Sequence, residues 1–339
     1  MFPKNVHVIS LFLVISLCNC HIGLGPVLAQ QKHVIKFATV APEGSAWINQ
    51  MKKLDSDIKT MSQGRLGFRI YPGGVAGDEL DVLKKMRIGQ IHCAAFSGVG
   101  FGQILPMVRV LDLPFLFRTY EETDLVHNGL FALFADRFRT KGFELLAWAE
   151  VGNVHIFSKQ PVRRVADLSG HKIWTWTGDP IAKETFSKMG VNPIPLSITD
   201  VTTALNTGMI DTVYAPPLGA VALQWHSSTG YMTALPLVHS TGALLISSGF
   251  MKKLPPDLRT LLESVTRRSM SELTSTLRNH NREAIEWIRK AGITITPAPT
   301  GQTLKEFYLI HDRVAESLTG KVFPKDVLEN VYSILERSR

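Results

Sequence analysis

Apolar and polar positions along the chain switch repeatedly between two periods. Val34-Ile35-Lys36-Phe37-Ala38 is a run of strand length. Trp47, Ile48, Met51, Leu54, Ile58 and Met61 then recur at the spacing of one helix face, with Ser45 placed as an N-cap and Gly64 as a stop. Leu66, Phe68 and Ile70 alternate as a half-buried strand closed by Tyr71-Pro72-Gly73-Gly74. A helix through Val82, Leu83 and Met86 and a strand over Ile91–Phe96 complete this series.

The rhythm returns downstream. A strand over Lys172–Thr175 is followed by a helix over Pro180–Met189, with proline in its first turn and Gly190 as its stop. A helix over Ile198–Asn206 stops at Gly208, and a strand over Thr212–Tyr214 leads into a helix over Pro217–Trp225. Repeated β-α-β units predict an α/β fold with largely parallel pairing, and two separate series predict two lobes. Between Pro256 and Gly292 there is no internal proline or glycine, and Leu258, Leu261, Leu262, Val265, Leu273, Leu277, Ile285 and Ile288 mark an apolar face. One helix here would reach about 50 Å, enough to touch both lobes. Two helices meeting near Arg278-Asn279-His280-Asn281 fit the same pattern.

Composition narrows the class. A chain of 339 residues with 45% hydrophobic side chains builds a sizeable core and is not disordered. Three cysteines exclude a disulfide scaffold. The net charge of +8 comes from scattered lysines and arginines, with only short pairs such as Lys84-Lys85 and Arg163-Arg164. A nucleic-acid reader would concentrate them in a stripe, so no nucleic-acid partner is expected.

Lys4 is the only charged side chain before Lys32, and Val8–Cys18 is an apolar run too short to span a bilayer. A basic start, a short apolar core and small residues before Ala29 predict a secretory signal peptide over residues 1–29, cleaved after Ala29, and therefore a periplasmic location. An uncleaved anchor and lipidation at Cys20 are the competing readings. Cleavage leaves Cys93 alone, in the apolar stretch Ile91-His92-Cys93-Ala94-Ala95-Phe96, where a free cysteine reads as a small buried hydrophobe.

Motifs for catalysis are absent. There is no HExxH, CxxC, GxxxxGK[ST] or GxSxG, and Gly98-Val99-Gly100-Phe101-Gly102 lacks dinucleotide-binding spacing. The histidines form no metal-ligand pattern. No cofactor, metal or enzymatic activity is expected.

Several segments carry a resemblance in order and spacing. Phe37-Ala38-Thr39-Val40-Ala41-Pro42-Glu43-Gly44-Ser45, Tyr71-Pro72-Gly73-Gly74-Val75-Ala76-Gly77-Asp78-Glu79 and Leu113-Pro114-Phe115-Leu116-Phe117 resemble the DctP-type substrate-binding proteins of TRAP transporters. So do Asp167-Leu168-Ser169-Gly170-His171-Lys172-Ile173, Val191–Leu196 and Thr203–Asp211. The resemblance runs from residue 34 to the C-terminal helices. It implies a two-lobed periplasmic binding fold with mixed sheets flanked by helices, a ligand cleft between lobes and a long bracing helix. It implies crossovers near Val151 and Ser240, with residues 30–151 and 240–279 in lobe I and residues 152–239 and 280–339 in lobe II. The implied partners are a small organic ligand, the small and large membrane permease subunits and, as a further candidate, an accessory periplasmic protein. A sensory binding protein is the alternative use of the same fold.

The sequence departs from that family where ligand carboxylates are usually held. The family's Arg after Gly-x-Lys falls on Trp174, a second commonly basic position falls on Val154, and the polar Gln-Glu-Asn-Pro stretch is Val213-Tyr214-Ala215-Pro216-Pro217. An Arg fork matches a carboxylate bidentately, so its loss matters. Trp174 and Trp176 flank Thr175 on a strand and face one side. Together with Tyr214, Trp47 and Phe96 they are candidates for a wall against an apolar or aromatic ligand body; Asn153, Glu150 and Asp179 are the polar candidates, the two acids for a cation or amine. Trp225 is expected to pack behind its helix. The competing reading is an organic-acid receptor whose anion grip has moved to Arg118 or to helix N-termini.

Overall fold

The computed structural model describes residues 32–339. The expected signal peptide and Cys20 lie outside the described residues. The first series folds as read: β1 (His33–Ala38), α1 (Ala46–Met61), β2 (Leu66–Tyr71), α2 (Glu79–Arg87) and β3 (Cys93–Ser97). Ser45 caps α1 by accepting from the Ile48 amide, and Ile48, Met51, Leu54 and Ile58 are buried on its inner face. β1 pairs in parallel with β2 and β3. Cys93 is fully buried, and burial pushes its thiol pKa well up, consistent with a packing role.

A five-residue helix, α3 (Gly98–Gly102), and a 3₁₀ segment over Pro106–Asp112 lead to α4 (Tyr120–Thr140) and the long strand β4 (Phe143–Ser158). The second series follows as β5 (Trp174–Trp176), α5 (Pro180–Lys188), β6 (Ile194–Leu196), α6 (Val201–Thr207), β7 (Thr212–Ala215), α7 (Pro217–Ala222) and β8 (Tyr231–Thr233). The chain then runs through β9 (Val238–Ser247), α8 (Ser248–Met251), α9 (Pro256–Lys290), β10 (Thr294–Thr296), α10 (Gly301–Leu318) and α11 (Lys325–Glu336).

The main sheet has the order β10-β8-β4-β9-β3-β1-β2, with β7 also paired to β4, while β5 and β6 form a small parallel sheet of their own. Largely parallel pairing is corrected at its centre: β9 runs antiparallel to β3 and β4, and β4 antiparallel to β7 and β8. β4 is long enough to serve both ends of the sheet. Phe143–Val154 pairs with β9, and His155–Ser158 pairs with β7 and β8. Its register with β9 shifts between Glu150 and Gly152, where Gly152 pairs with Ser240.

α9 is one helix of 35 residues, not two. Arg278 and Asn281, at the suspected break, are side chains with partners outside the helix: Arg278 reaches Glu150 and Asp124, and Asn281 accepts from the Leu218 amide. Asn281 also donates from Nδ2 to the Leu277 carbonyl one turn back at 3.0 Å, and the helix runs on through it. α9 packs on α1, β4 and α7. The helix read over Ile198–Asn206 begins with a 3₁₀ turn at Ile198–Asp200, and Gly208 ends it in the left-handed region. The helix read over Pro217–Trp225 ends at Ala222; Gln224 turns left-handed (φ 59°) and starts a separate 3₁₀ turn carrying Trp225.

Candidate functional site

A cavity of about 240 Å³ opens between the β1–β3 side of the molecule and the β5–β7 side. Its wall is mostly apolar. Trp174, Trp176, Tyr214, Trp47, Phe96 and Asp179, all sequence candidates, line it. The strand alternation places both β5 indoles on the same wall, with ring centroids 6.1 Å apart. Tyr214 on β7 stacks on Trp174 at 5.0 Å and 25°. Trp225 does not pack behind its helix. The turn after α7 brings it into the lining, edge-on to Trp174 at 5.3 Å. The indoles belong to wall and core together: Trp174 is 2% exposed and sits in one apolar cluster with Trp225 and Phe157.

Each ring is held by its polar tip. Trp174 Nε1 donates to the Leu196 carbonyl at 3.1 Å. Trp176 Nε1 donates to both oxygens of Asp78 at 3.0 and 3.2 Å. The Asp78 carboxylate also accepts from Ser197 Oγ at 2.5 Å and from the Ile198 and Glu79 amides. Asp78 caps α2, so one side chain ties that helix to the β5–β6 wall across the cavity. Gln103 makes a second crossing link, donating to the Gly178 carbonyl at 3.1 Å.

Glu150 and Asn153 do not line the cavity, and the expectation that they meet a ligand is corrected. Glu150 is 2% exposed and taken up by Arg278, which bonds both its oxygens at 2.6–3.0 Å, with His239 Nε2 at 3.3 Å. Burial opposes its charge, but the His239 and Arg278 contacts prevail and hold its pKa down at about 2. Asn153 hydrogen-bonds His239 at 2.9 Å. Both sit beside the β4–β9 register shift, bonded to His239 and Arg278 and not to the cavity. Arg118 lies in a separate surface pocket with Tyr308 and Arg339, so it is no anion grip for this cavity.

The side chains missed from sequence are the charged ones. Arg109 and Asp112, from the 3₁₀ segment, and Glu79, from the start of α2, line the cavity and are all under 8% exposed. Arg109 Nε stands 3.0 Å from Asp112 Oδ2, in an ion pair not aligned as a hydrogen bond, and Nη2 donates to Asp179 Oδ1 at 2.7 Å. Burial works against its charge, and the two carboxylates more than offset that and raise its pKa. Burial pushes Asp112 up to about 6 against the pull of Arg109, and pushes Glu79 up to about 7 although Ser97 and Gly100 donate to it. Asp179 also caps α5, accepting from the Ile181 and Ala182 amides through the same Oδ1.

The glycine run beneath these groups makes room for them. A Cβ on Gly98 would fall 1.9 Å from Asp112 Oδ2, one on Gly100 2.5 Å from Glu79 Oε2, and one on Gly102 2.5 Å from Arg109 Cδ. The readable signal was Arg109 and Asp112, a lone charged pair three apart within Pro106-Met107-Val108-Arg109-Val110-Leu111-Asp112-Leu113. Opposite charges inside an apolar run point to a buried pair. Among the described residues no group of acids, histidines and cysteines could hold a metal ion, and no helix is long and apolar enough to cross a membrane.

A family model described as bacterial extracellular solute-binding protein, family 7 (DctP), matches residues 37–317. The C4-dicarboxylate-binding periplasmic protein DctP of Rhodobacter capsulatus is 22% identical over 299 residues, covering 86% of this chain and 88% of that protein. The galactonate complex of the sugar acid binding protein DctPAm from Advenella mimigardefordensis superposes with a TM-score of 0.86 at 20% identity, over 91% of this chain and 99% of that one. A TRAP periplasmic solute-binding protein from Pseudomonas putida F1 with bound D-glucuronate gives 0.82 at 25% identity, over 88% and 96%. With the fold, the cavity between its two sides and the family match in agreement, the chain belongs to the DctP family of extracellular solute-binding proteins, the substrate receptors of TRAP transporters.

Proposed function

We propose that this receptor works in the periplasm, after removal of residues 1–29, and captures a small organic ligand with an apolar or aromatic body. Lobe I (30–151, 240–279) and lobe II (152–239, 280–339) close on the ligand, and the closed form delivers it to the small and large permease subunits without turning it over. The observation that carries this reading is the Trp174–Trp176–Tyr214 wall, standing where the family resemblance places arginine. Stacked rings offer a large apolar face, held in place by indole N–H bonds to Leu196 and Asp78.

Native mass spectrometry of the purified protein tests it. A copurified molecule with an aromatic or aliphatic body is expected, and Trp174→Arg is expected to weaken its binding at least about tenfold, or about 1.4 kcal/mol. Unchanged affinity in a folded Trp174→Arg protein removes the wall from the site, and conversion of the ligand refutes a pure receptor. A second reading, an organic-acid receptor of the kind named for the relatives, is favoured by Arg109 in the cavity wall. On that reading the anion grip has moved from β5 to the 3₁₀ segment.

A further inference from the structure

The charges around the cavity decide between those readings. Arg109 is the one cationic side chain among the described lining residues, against the carboxylates of Glu79, Asp112 and Asp179. Two of its three nitrogens are already engaged, Nε against Asp112 and Nη2 to Asp179. Asp179 Oδ1 receives all three donors aimed at that carboxylate, and Oδ2 takes none of them. Asp112, more than nine-tenths buried, keeps an Oδ2 without an aligned donor. Both family-basic positions, Trp174 and Val154, are uncharged lining residues here.

We propose that this cavity selects an organic cation, a protonated amine or quaternary ammonium on an apolar body, over a carboxylate of the same shape. The proposal rests on the reading of this cavity as the ligand site. An incoming carboxylate finds only Nη1 of Arg109 without a partner, and there it stands beside Asp112 and Asp179, two like charges already set against that one guanidinium. An incoming cation meets surplus carboxylate and the negative faces of Trp174, Trp176 and Tyr214, the combination that attracts ammonium groups. Specificity here is built from repulsion as much as from attraction.

Three probes of one shape test this at pH 8: 2-phenylethylamine, 2-phenylethanol and phenylacetate, titrated calorimetrically into the full chain. The amine is expected to bind at least about tenfold more tightly than phenylacetate, with the alcohol between them. Asp179→Asn keeps an N-capping side chain and removes one carboxylate, so it is expected to shrink that ratio several-fold. Tighter binding of phenylacetate, equal binding of all three, no binding of any at millimolar concentration, or a ratio unchanged in Asp179→Asn overturns the charge assignment. Native mass spectrometry of the same preparation judges the receptor reading separately, because a copurified small molecule of any charge sustains it.

Discussion

Tyr214 does two things at once. Its ring stacks on Trp174, and its hydroxyl accepts from the Trp176 amide at 3.3 Å, while burial, with the Asp179 charge behind it, holds its pKa well above the usual phenol value. Phenylalanine keeps the first role and loses the second. Tyr214→Phe is expected to cost about 1–3 kcal/mol, the penalty for a buried N–H without an acceptor. A denaturant melt reads it, and an unchanged midpoint would mean that the Trp176 amide finds another acceptor. At this scale the ring residues were legible from sequence, because alternation along three residues decides which way two indoles point. Arg109 was not assigned, because its partner Asp179 stands seventy residues away and no local pattern joins them.

At the scale of elements, the β4–β9 pair is the feature the α/β rhythm concealed. Leu145, Leu146, Ala147, Ala149 and Gly152 on β4 are all buried, on both faces of the strand, so no period of two is visible there. Its turning point is Gly152, with φ 120° and a would-be Cβ 2.6 Å from Asn281 Nδ2 on α9. Gly89, after α2, also has a positive φ (73°) but open space around it. Both alanine substitutions carry the left-handed penalty of about 1–3 kcal/mol. Gly152→Ala is expected to destabilise the protein more than Gly89→Ala, because it also collides with α9. Equal shifts in the two melts would remove the Asn281 contact from the account. The bracing helix was legible for the opposite reason: its apolar face repeats every three or four residues from Leu258 to Ile288.

At the scale of the molecule, four elements meet at Glu150. β4 supplies the carboxylate, α9 supplies Arg278, β9 supplies His239, and α4 supplies Asp124, which Arg278 also bonds at 2.6 and 2.9 Å. Glu150 has a folded pKa of about 2 against an ordinary 4.5, so it binds its proton less readily in the folded state. Its contribution to stability is therefore present above pH 4.5 and is lost as pH falls through 2, by up to about 3 kcal/mol in total. His127, pushed down to about 3 mainly by burial, adds a loss of the same sign that begins below its ordinary 6.5. Glu150→Gln is expected to be less stable at pH 7 and to show a flatter decline between pH 4.5 and 2 than the parent protein. Parallel acid-titration curves for the two would dissociate Glu150 from acid sensitivity.

What the chain determined by itself is what short-range sterics and periodicity decide. That covers most helices and strands of the two series, the cap at Ser45, the common face of Trp174 and Trp176, and the motif order that places the protein in its family. What only the tertiary structure decided is where charge sits. Glu150 was drawn to Arg278 on α9 and away from the cavity, and Arg109, Asp112 and Asp179 were brought together over a glycine floor. A buried charge persists only where a counter-charge from elsewhere in the fold reaches it. Its position is therefore set by long-range packing, which a reading of neighbours along the chain does not contain.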